Sequence, residues 1–417
     1  MKENWWEGLE RLRIRPGLER IRQLLEALGD PQKGYPIVHV AGTNGKGSTA
    51  ALIAEALQSQ GLRVGLTVSP DMGNINERVM LNRQPIPEAL WDRLGELVER
   101  AGRTLPDVPT FFEAVTALAF LAFRHWQVDV AVVEVGLGGR LDATNVIDAP
   151  CLSVITPVAF DHMDRLGNTI EAIASEKAGI IKHGSSVVIG RQPYSQARTV
   201  IKDTAQRRGA RVVEPSWFPD VGERGVFGQS PAGFLSVPLL GAYQRDNVAL
   251  AYAASEELAR LGFIHDWRSI LMAWSRFSWP GRFQIIHRRP LWVIDGAHNP
   301  HGIQGVVQTL NLEFYQDFKW TLVFGSLSDK PAAEMLNLLN PYVSRVILTH
   351  VPTQRGVDPH TLQQGMPDAE IIDDPWQAIQ KAFLVTGEDE AILTTGSLAL
   401  LGYILEQRQK HMGNVVN

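Results

Sequence analysis

The segment Gly42-Thr43-Asn44-Gly45-Lys46-Gly47-Ser48-Thr49 stands between an apolar, β-branched run, Ile37 to Val40, and a helical stretch from about Ser48 to Gln60. Glycines let backbone N–H groups approach phosphate oxygens, and the start of a helix adds a favourable dipole. Lys46 supplies a positive charge for β/γ oxygens, and a hydroxyl such as that of Ser48 reaches Mg²⁺. The segment reads as a phosphate-binding loop. It is an irregular one: counted back from Gly45-Lys46, the usual first glycine falls at Val40, and Gly47 intervenes before Ser48.

Other residues suit the same chemistry. Glu134 ends the apolar run Val130 to Val133 and precedes Val135-Gly136-Leu137-Gly138-Gly139-Arg140. A carboxylate at the carboxyl end of a parallel strand faces a ligand crevice, where it can hold Mg²⁺; pairing with Arg140 is the alternative. Asp161-His162-Met163-Asp164 follows the run Leu152 to Thr156 at the same end, either as a site or as a helix cap with a hydrogen-bonding histidine. Ile170, Ile173, Ala174, Ala178 and Ile181 share one helical face, and Lys177 falls on it. An ammonium aimed inward must pair, deprotonate or be chemically changed; the alternatives are snorkelling and an ion pair with a strand-end carboxylate. Farther on, Asp295-Gly296-Ala297-His298-Asn299-Pro300 and Gly325-Ser326-Leu327-Ser328-Asp329-Lys330 each follow a strand-like run. Each is either a crevice lining or, respectively, a turn with a helix start and a solvated charge pair.

Positioning such groups calls for strands that alternate with helices. Short apolar runs at 37–40, 64–68, 130–135, 152–156 and 187–189 alternate with amphipathic stretches, the pattern of βαβ units around a parallel sheet. Residues 211–240, rich in Pro and Gly, predict a small antiparallel excursion that includes 233–237. After Trp279-Pro280-Gly281-Arg282 a second series begins, with strands predicted at 291–295, 321–324, 345–349 and 391–394. Two α/β domains are expected, 1–285 and 286–417, facing each other across a nucleotide and a second substrate.

Bulk properties agree. The 417 residues are 45% apolar, with 11 Trp and 15 Phe, enough material for real cores. Lys+Arg 40 against Asp+Glu 45 gives a net charge of -5 with no long basic run, against nucleic acid as a main partner. One cysteine, Cys151, excludes an intramolecular disulfide framework and a cysteine-based zinc site and suits a reducing compartment. The apolar run from Phe111 to Phe123 contains Glu113 and is too short for a bilayer, and residues 1–16 show no signal peptide, so a cytoplasmic protein without membrane partners is expected.

These residues, in this order, resemble the folylpolyglutamate synthase / dihydrofolate synthase family of the Mur ligase superfamily. The resemblance rests on Gly42 to Ser48, Ser69-Pro70 with Asn76-Glu77-Arg78, Thr110-Phe111-Phe112-Glu113, Glu134 to Asn145, Asp161 to Lys182, Trp279 to Arg282, Asp295 to Pro300 and Gly396-Ser397-Leu398. It implies a Mur-ligase-like ATP-binding domain with a parallel sheet and a phosphate loop, plus a smaller Rossmann-like α/β C-terminal domain. The implied activity is ATP-dependent addition of L-glutamate to a folate or dihydropteroate through an acyl phosphate, by a monomer. It implies that Ser48, Ser69, Glu134, His162 and Lys177 surround two Mg²⁺, with Lys177 carrying a CO₂-derived carbamate. Nucleotide contacts are implied at Thr43, Asn44, Gly45, Lys46, Gly47, Ser48, Asn247, Arg282, Asp295 and His298, with Lys46, Glu134, His162 and Lys177 catalytic.

Departures cluster on the acceptor side. Ser69-Pro70-Asp71-Met72 stands where the family reads Ser-Pro-His-Leu, Tyr243 replaces a common His before Gln244, and Arg13-Ile14 replaces His-Ser of dihydropteroate-binding members. Acceptor contacts are expected at Asp71, Arg78 and Ser397, with Asp71 able to accept from the amino-pyrimidine edge of a pterin. A reduced folate is expected to be used ahead of dihydropteroate. Two alternatives stay open: the same ligase chemistry on a non-folate acid, and a nucleotide-binding module without catalysis.

Overall fold

The computed structural model of the chain describes residues 5–10 and 15–413. Arg13 and Ile14 lie outside the described residues. The first sheet has eight strands: β1 Ile37–Ala41, β2 Val64–Thr67, β3 Val79–Leu81, β4 Gln84–Pro85, β5 Val130–Glu134, β6 Leu152–Ile155, β7 Ser186–Ile189 and β8 Arg211–Val213. Their order is β4-β3-β2-β5-β1-β6-β7-β8, parallel from β2 to β8, with β3 and β4 added antiparallel. β1 thus lies between β5 and β6, and the loops leaving all three open at one edge, where α/β proteins bind ligands.

Both faces of this sheet are covered, which is why its central strands are apolar without alternation. Helices Lys46–Gln58 and Gln244–Arg260 pack with Leu52, Leu57, Val132, Val154 and Leu250 on one side. On the other, the helix Phe111–Trp126 buries Phe120 and Phe123 against Ala131 and Val133. Its start explains the motif at 110–113: Thr110 accepts from the Glu113 N–H and Glu113 accepts from the Thr110 N–H, a reciprocal cap. The buried Glu113 also pairs with Arg20 at 3.0 Å.

The predicted excursion takes shape as a three-stranded antiparallel sheet of β9 Asp220–Gly222, β10 Gly225–Ser230 and β11 Gly233–Val237, while 211–213 joins the main sheet as its edge. The third sheet comprises β12 Gln284–Arg288, β13 Leu291–Ile294, β14 Trp320–Phe324, β15 Val343–Leu348, β16 Glu370–Ile371 and β17 Ala391–Thr395, in the order β12-β13-β17-β14-β15-β16. Only β12 is antiparallel to its neighbour. β12 begins at Gln284, so the expected division at 285/286 falls within its first residues, close to the junction between the two large sheets. Arg83, in the turn between β3 and β4, holds the approach to that junction. Its guanidinium lies 4.4 Å from the Phe277 ring centre, pairs with Glu55 at 2.6 Å and donates to the Ser278 carbonyl.

Candidate active site

A cavity of 460 Å³ lies between the two domains at the carboxyl ends of β1, β5 and β6. Residues 42–48 form its floor. The helix there starts at Lys46 with Gly45 as its cap, and Gly45 has φ 85°, a left-handed conformation that glycine adopts without a Cβ penalty. A side chain at Gly45 would also overlap Asn247 Oδ1. Thr43 ties this loop to the next: its hydroxyl donates to the Ala159 carbonyl at 3.1 Å and accepts from the Ala159 N–H at 3.0 Å.

Glu134, at the end of β5, is 5% exposed and lies 3.9 Å from Lys46 Nζ. Burial pushes its carboxyl up to about 7, against the pull of Lys46 and the Ser69 N–H, which donates to it at 3.3 Å. Arg140 pairs with Glu176 at 2.7 Å, not with Glu134. Lys177 is fully enclosed and donates to the Gly42 carbonyl at 2.7 Å. No carboxylate lies within ion-pair reach of it among the described residues, which removes both the snorkelling and the ion-pair alternatives. Burial, with Lys46 adding repulsion, brings its amine down to about 7. The Ser48 hydroxyl is buried with no hydrogen-bond partner, an oxygen left available in the phosphate loop.

His162 lines the cavity, and burial lowers its imidazole. Its Nε2 lies 3.2 Å from Nζ of Lys330, a residue of the C-terminal domain. Lys330 also donates to Asp161 at 2.8 Å; burial alone would raise the Asp161 carboxyl, but Lys330, with His162, outweighs it and holds it well below its usual range. The solvated-pair reading of Asp329-Lys330 therefore fails: Asp329 pairs with Arg355, while Lys330 is buried and pairs across the domain boundary.

Asn247, Arg282, Asp295 and His298 line the same cavity. Asp295 is saturated with donors: the Tyr243 hydroxyl, Phe283 N–H and Ala297 N–H, the last two at 2.8 Å. It fixes the junction between domains as firmly as it borders the cavity, and Tyr243, noted in the sequence only as a departure on the acceptor side, turns out to be its hydroxyl partner. His298 donates through Nδ1 to the Gly296 carbonyl at 2.9 Å, and burial lowers its imidazole to about 4. Three expected acceptor contacts, Asp71, Arg78 and Ser397, do not line the cavity. Asp71 pairs with Arg78 at 2.6 Å and accepts from the Gly73 N–H, so both its oxygens are engaged within its own loop. Ser397 is buried beside Leu398.

Residues 40–217 match the Mur ligase middle domain and residues 281–398 the Mur ligase glutamate ligase domain. The folylpolyglutamate synthase of Lacticaseibacillus casei is 39% identical over 399 residues, covering 91% of this chain and 92% of that protein. The chain belongs to the folylpolyglutamate synthase / dihydrofolate synthase family. Solved members of the family superpose over nearly their whole length. Escherichia coli FolC in complex with DHPP and ADP has a TM-score of 0.87 at 31% identity, covering 98% of this chain and 97% of its own. A bifunctional member with Mn, AMPPNP and L-glutamate bound has a TM-score of 0.84 at 31% identity, covering 97% of each chain. The chain is thus an α/β ligase of Mur type.

The donors present suit a divalent cation of the Mg²⁺ kind. Ser48 offers an unpartnered hydroxyl and Glu134 a carboxylate, both oxygen ligands beside a phosphate loop. Among the described residues no group of three or more His, Cys, Asp and Glu could hold a metal alone. Phosphate oxygens would complete the shell, as hard cations of this size permit.

Proposed function

We propose that this chain joins L-glutamate to a folate, with ATP supplying a phosphoryl group that converts the acceptor carboxylate to an acyl phosphate. The observation that carries the reading is Lys177, a buried amine at about 7 whose nitrogen donates to the phosphate loop and, among the described residues, has no carboxylate partner. A phosphate-binding switch needs no such group, whereas a ligase gains an anion there. A neutral amine attacks CO₂: an N–C bond forms, a carbon–oxygen π bond opens onto oxygen, and the nitrogen loses a proton, leaving a carbamate. Ser48, Ser69, Glu134, His162 and the carbamylated Lys177 are the groups that would hold two Mg²⁺. Bound Mg²⁺ supplies charge neutralisation for the transferring phosphoryl group.

The chain's own residues then have distinct tasks. Lys46 would face the β/γ oxygens from the floor, with Asn247 against the same loop at Gly45, and Arg282 and His298 would border the nucleotide from the other side of the cavity. The acceptor carboxylate attacks the γ-phosphorus and ADP leaves; the glutamate amine attacks the acyl carbon, phosphate leaves, and the amine proton passes to solvent or base. A cavity enclosed between domains keeps water from the acyl phosphate, whose hydrolysis would waste ATP. The test is ADP release measured with glutamate or acceptor omitted in turn, over tetrahydrofolate, dihydropteroate and unrelated carboxylic acids. Turnover that needs both glutamate and a pteroyl acid supports the reading, while turnover on an unrelated acid alone overturns the folate assignment.

A further inference from the structure

Asn299 sits where the two domains touch behind the phosphate loop, and all four of its side-chain hydrogen-bonding positions are used. Nδ2 donates to Asn44 Oδ1 at 3.1 Å and to Asp161 Oδ2 at 2.8 Å. Oδ1 accepts from Asn44 Nδ2 at 3.0 Å and from the Gly302 N–H at 2.8 Å. The last bond caps the helix Pro300–Leu310. The side chain is 1% exposed, so each unmade bond would leave a buried polar group unsatisfied. Asn44 belongs to the phosphate loop of the first domain and Asp161 to the loop that carries His162. Asp161 is itself held from the C-terminal domain by Lys330 at 2.8 Å, and Asn44 Nδ2 also lies 2.8 Å from His301 Nδ1.

Capping asks for much less than this. Asp and Ser cap a helix as well as Asn does, because the cap needs only an acceptor. An amide is required at 299 by the two donors, both of which cross to the first domain. Apart from Asn299 and the neighbouring His301, which touches Asn44 alone, the phosphate loop is anchored within its own domain, through Thr43 to Ala159 and Pro157. Asn299 is therefore the group through which the C-terminal domain grips two catalytic loops at once.

We propose that Asn299 is a positioning residue for phosphoryl transfer: its amide clasps Asn44 and Asp161, so that the phosphate loop and the His162 loop are held in register with each other only while the C-terminal domain is docked. The inference rests on the ligase reading above. It makes domain docking and loop geometry one event, with the clasp closing before phosphoryl transfer. Effects on positioning of this kind fall on the chemical step, where small displacements are costly.

The experiment separates capping from clasping. Asn299→Asp keeps the cap but removes both donors and sets a carboxylate against Asp161. Expected are a Tm within a few degrees of wild type and a kcat for glutamate-dependent ADP release lower by roughly tenfold or more, the scale of two lost hydrogen bonds to charged or buried partners. Adding Asp161→Asn to that variant returns a donor and removes the like charge, and the double variant is expected to turn over faster than Asn299→Asp alone. Wild-type kcat in Asn299→Asp, a loss that merely follows a lowered Tm, or a double variant no faster than the single one would each overturn the proposal. Wild-type turnover in the same assay decides the ligase reading separately, since the clasp is judged only on ratios between variants.

Discussion

At the scale of single residues, the groups most legible in the sequence were those whose chemistry contradicts their surroundings. Lys177 stood out as a cation on an apolar helix face, and Glu134 as an acid ending an apolar strand. Both are enclosed in the structure, and their titration moves together toward about 7 from opposite sides. Lys330 was left undecided for the converse reason: after a strand and beside Asp329 it suited a crevice lining or a solvated charge pair equally, and only the fold brings it to Asp161. Two outcomes are expected at this scale. Lys177→Ala should be nearly inactive and partly rescued by small carboxylic acids that restore an anionic oxygen; full activity in the alanine variant would remove the case for a carbamate. Glu134→Gln exchanges a charged ligand for a neutral one and should shift the Mg²⁺ titration of ADP release to higher concentration, whereas an unchanged titration would make Glu134 structural.

At the scale of elements, the buried parallel strands were read because burial on both faces leaves them largely apolar, whereas the exposed parallel edges were not: β8 was assigned to the antiparallel excursion and β16 was missed. The hairpin of β3 and β4 was not read: its strands are three and two residues long, too short for any period to show. β1 hides a further feature, a histidine within the apolar run. His39 is fully buried, its Nε2 lies 2.8 Å from the Thr144 hydroxyl, and that hydroxyl donates to Asp142 at 2.6 Å. Asp142 in turn accepts from the Leu137 N–H, so this chain of bonds links the strand under the phosphate loop to the loop after Glu134. Burial, with repulsion from Lys182, lowers His39 from 6.5 to about 3. The unfolded chain therefore takes up a proton below 6.5 that the folded chain refuses, so stability falls as pH drops from 6.5 toward 3 and levels off below. The slope is on the order of 1.4 kcal/mol per pH unit. His39→Gln, which keeps a polar partner for Thr144 but does not titrate, should flatten the decline of Tm with pH in that window relative to wild type. Parallel Tm curves for the two proteins would show that His39 does not contribute to it.

At the scale of the whole molecule, the presence of two α/β domains could be read from the alternation of strands and helices, but the way they dock could not, because contacts between remote segments leave no period in a sequence. The loop from Ser69 to Arg78 is the clearest case. Expected to carry acceptor contacts at Asp71 and Arg78, it lines the cavity through Ser69 and Pro70 and then crosses to the C-terminal domain, where Met72 packs against the cluster of Leu398, Leu401 and Ile404. The loop is braced for this by the Asp71–Arg78 pair and by Glu77, which accepts from the Met72 N–H at 2.8 Å. Opposite it, in the helix Leu398–Gly413, lies Gly402, where a Cβ would overlap the Met72 carbonyl. Backbone, unlike a flexible side-chain end, cannot step aside cheaply. Two forces therefore oppose each other in Gly402→Ala. Helix propensity alone favours alanine by about 1 kcal/mol, so the C-terminal domain should be as stable as before or more so. Docking disfavours it, since the added methyl drives the Met72 loop off its seat and opens the cavity that must exclude water. The expected variant is one whose Tm holds or rises, whose radius of gyration by small-angle scattering increases, and whose ADP release becomes less dependent on glutamate as the exposed acyl phosphate hydrolyses. If radius and coupling both match wild type, the loop yields locally, and Met72 is not what seats one domain on the other.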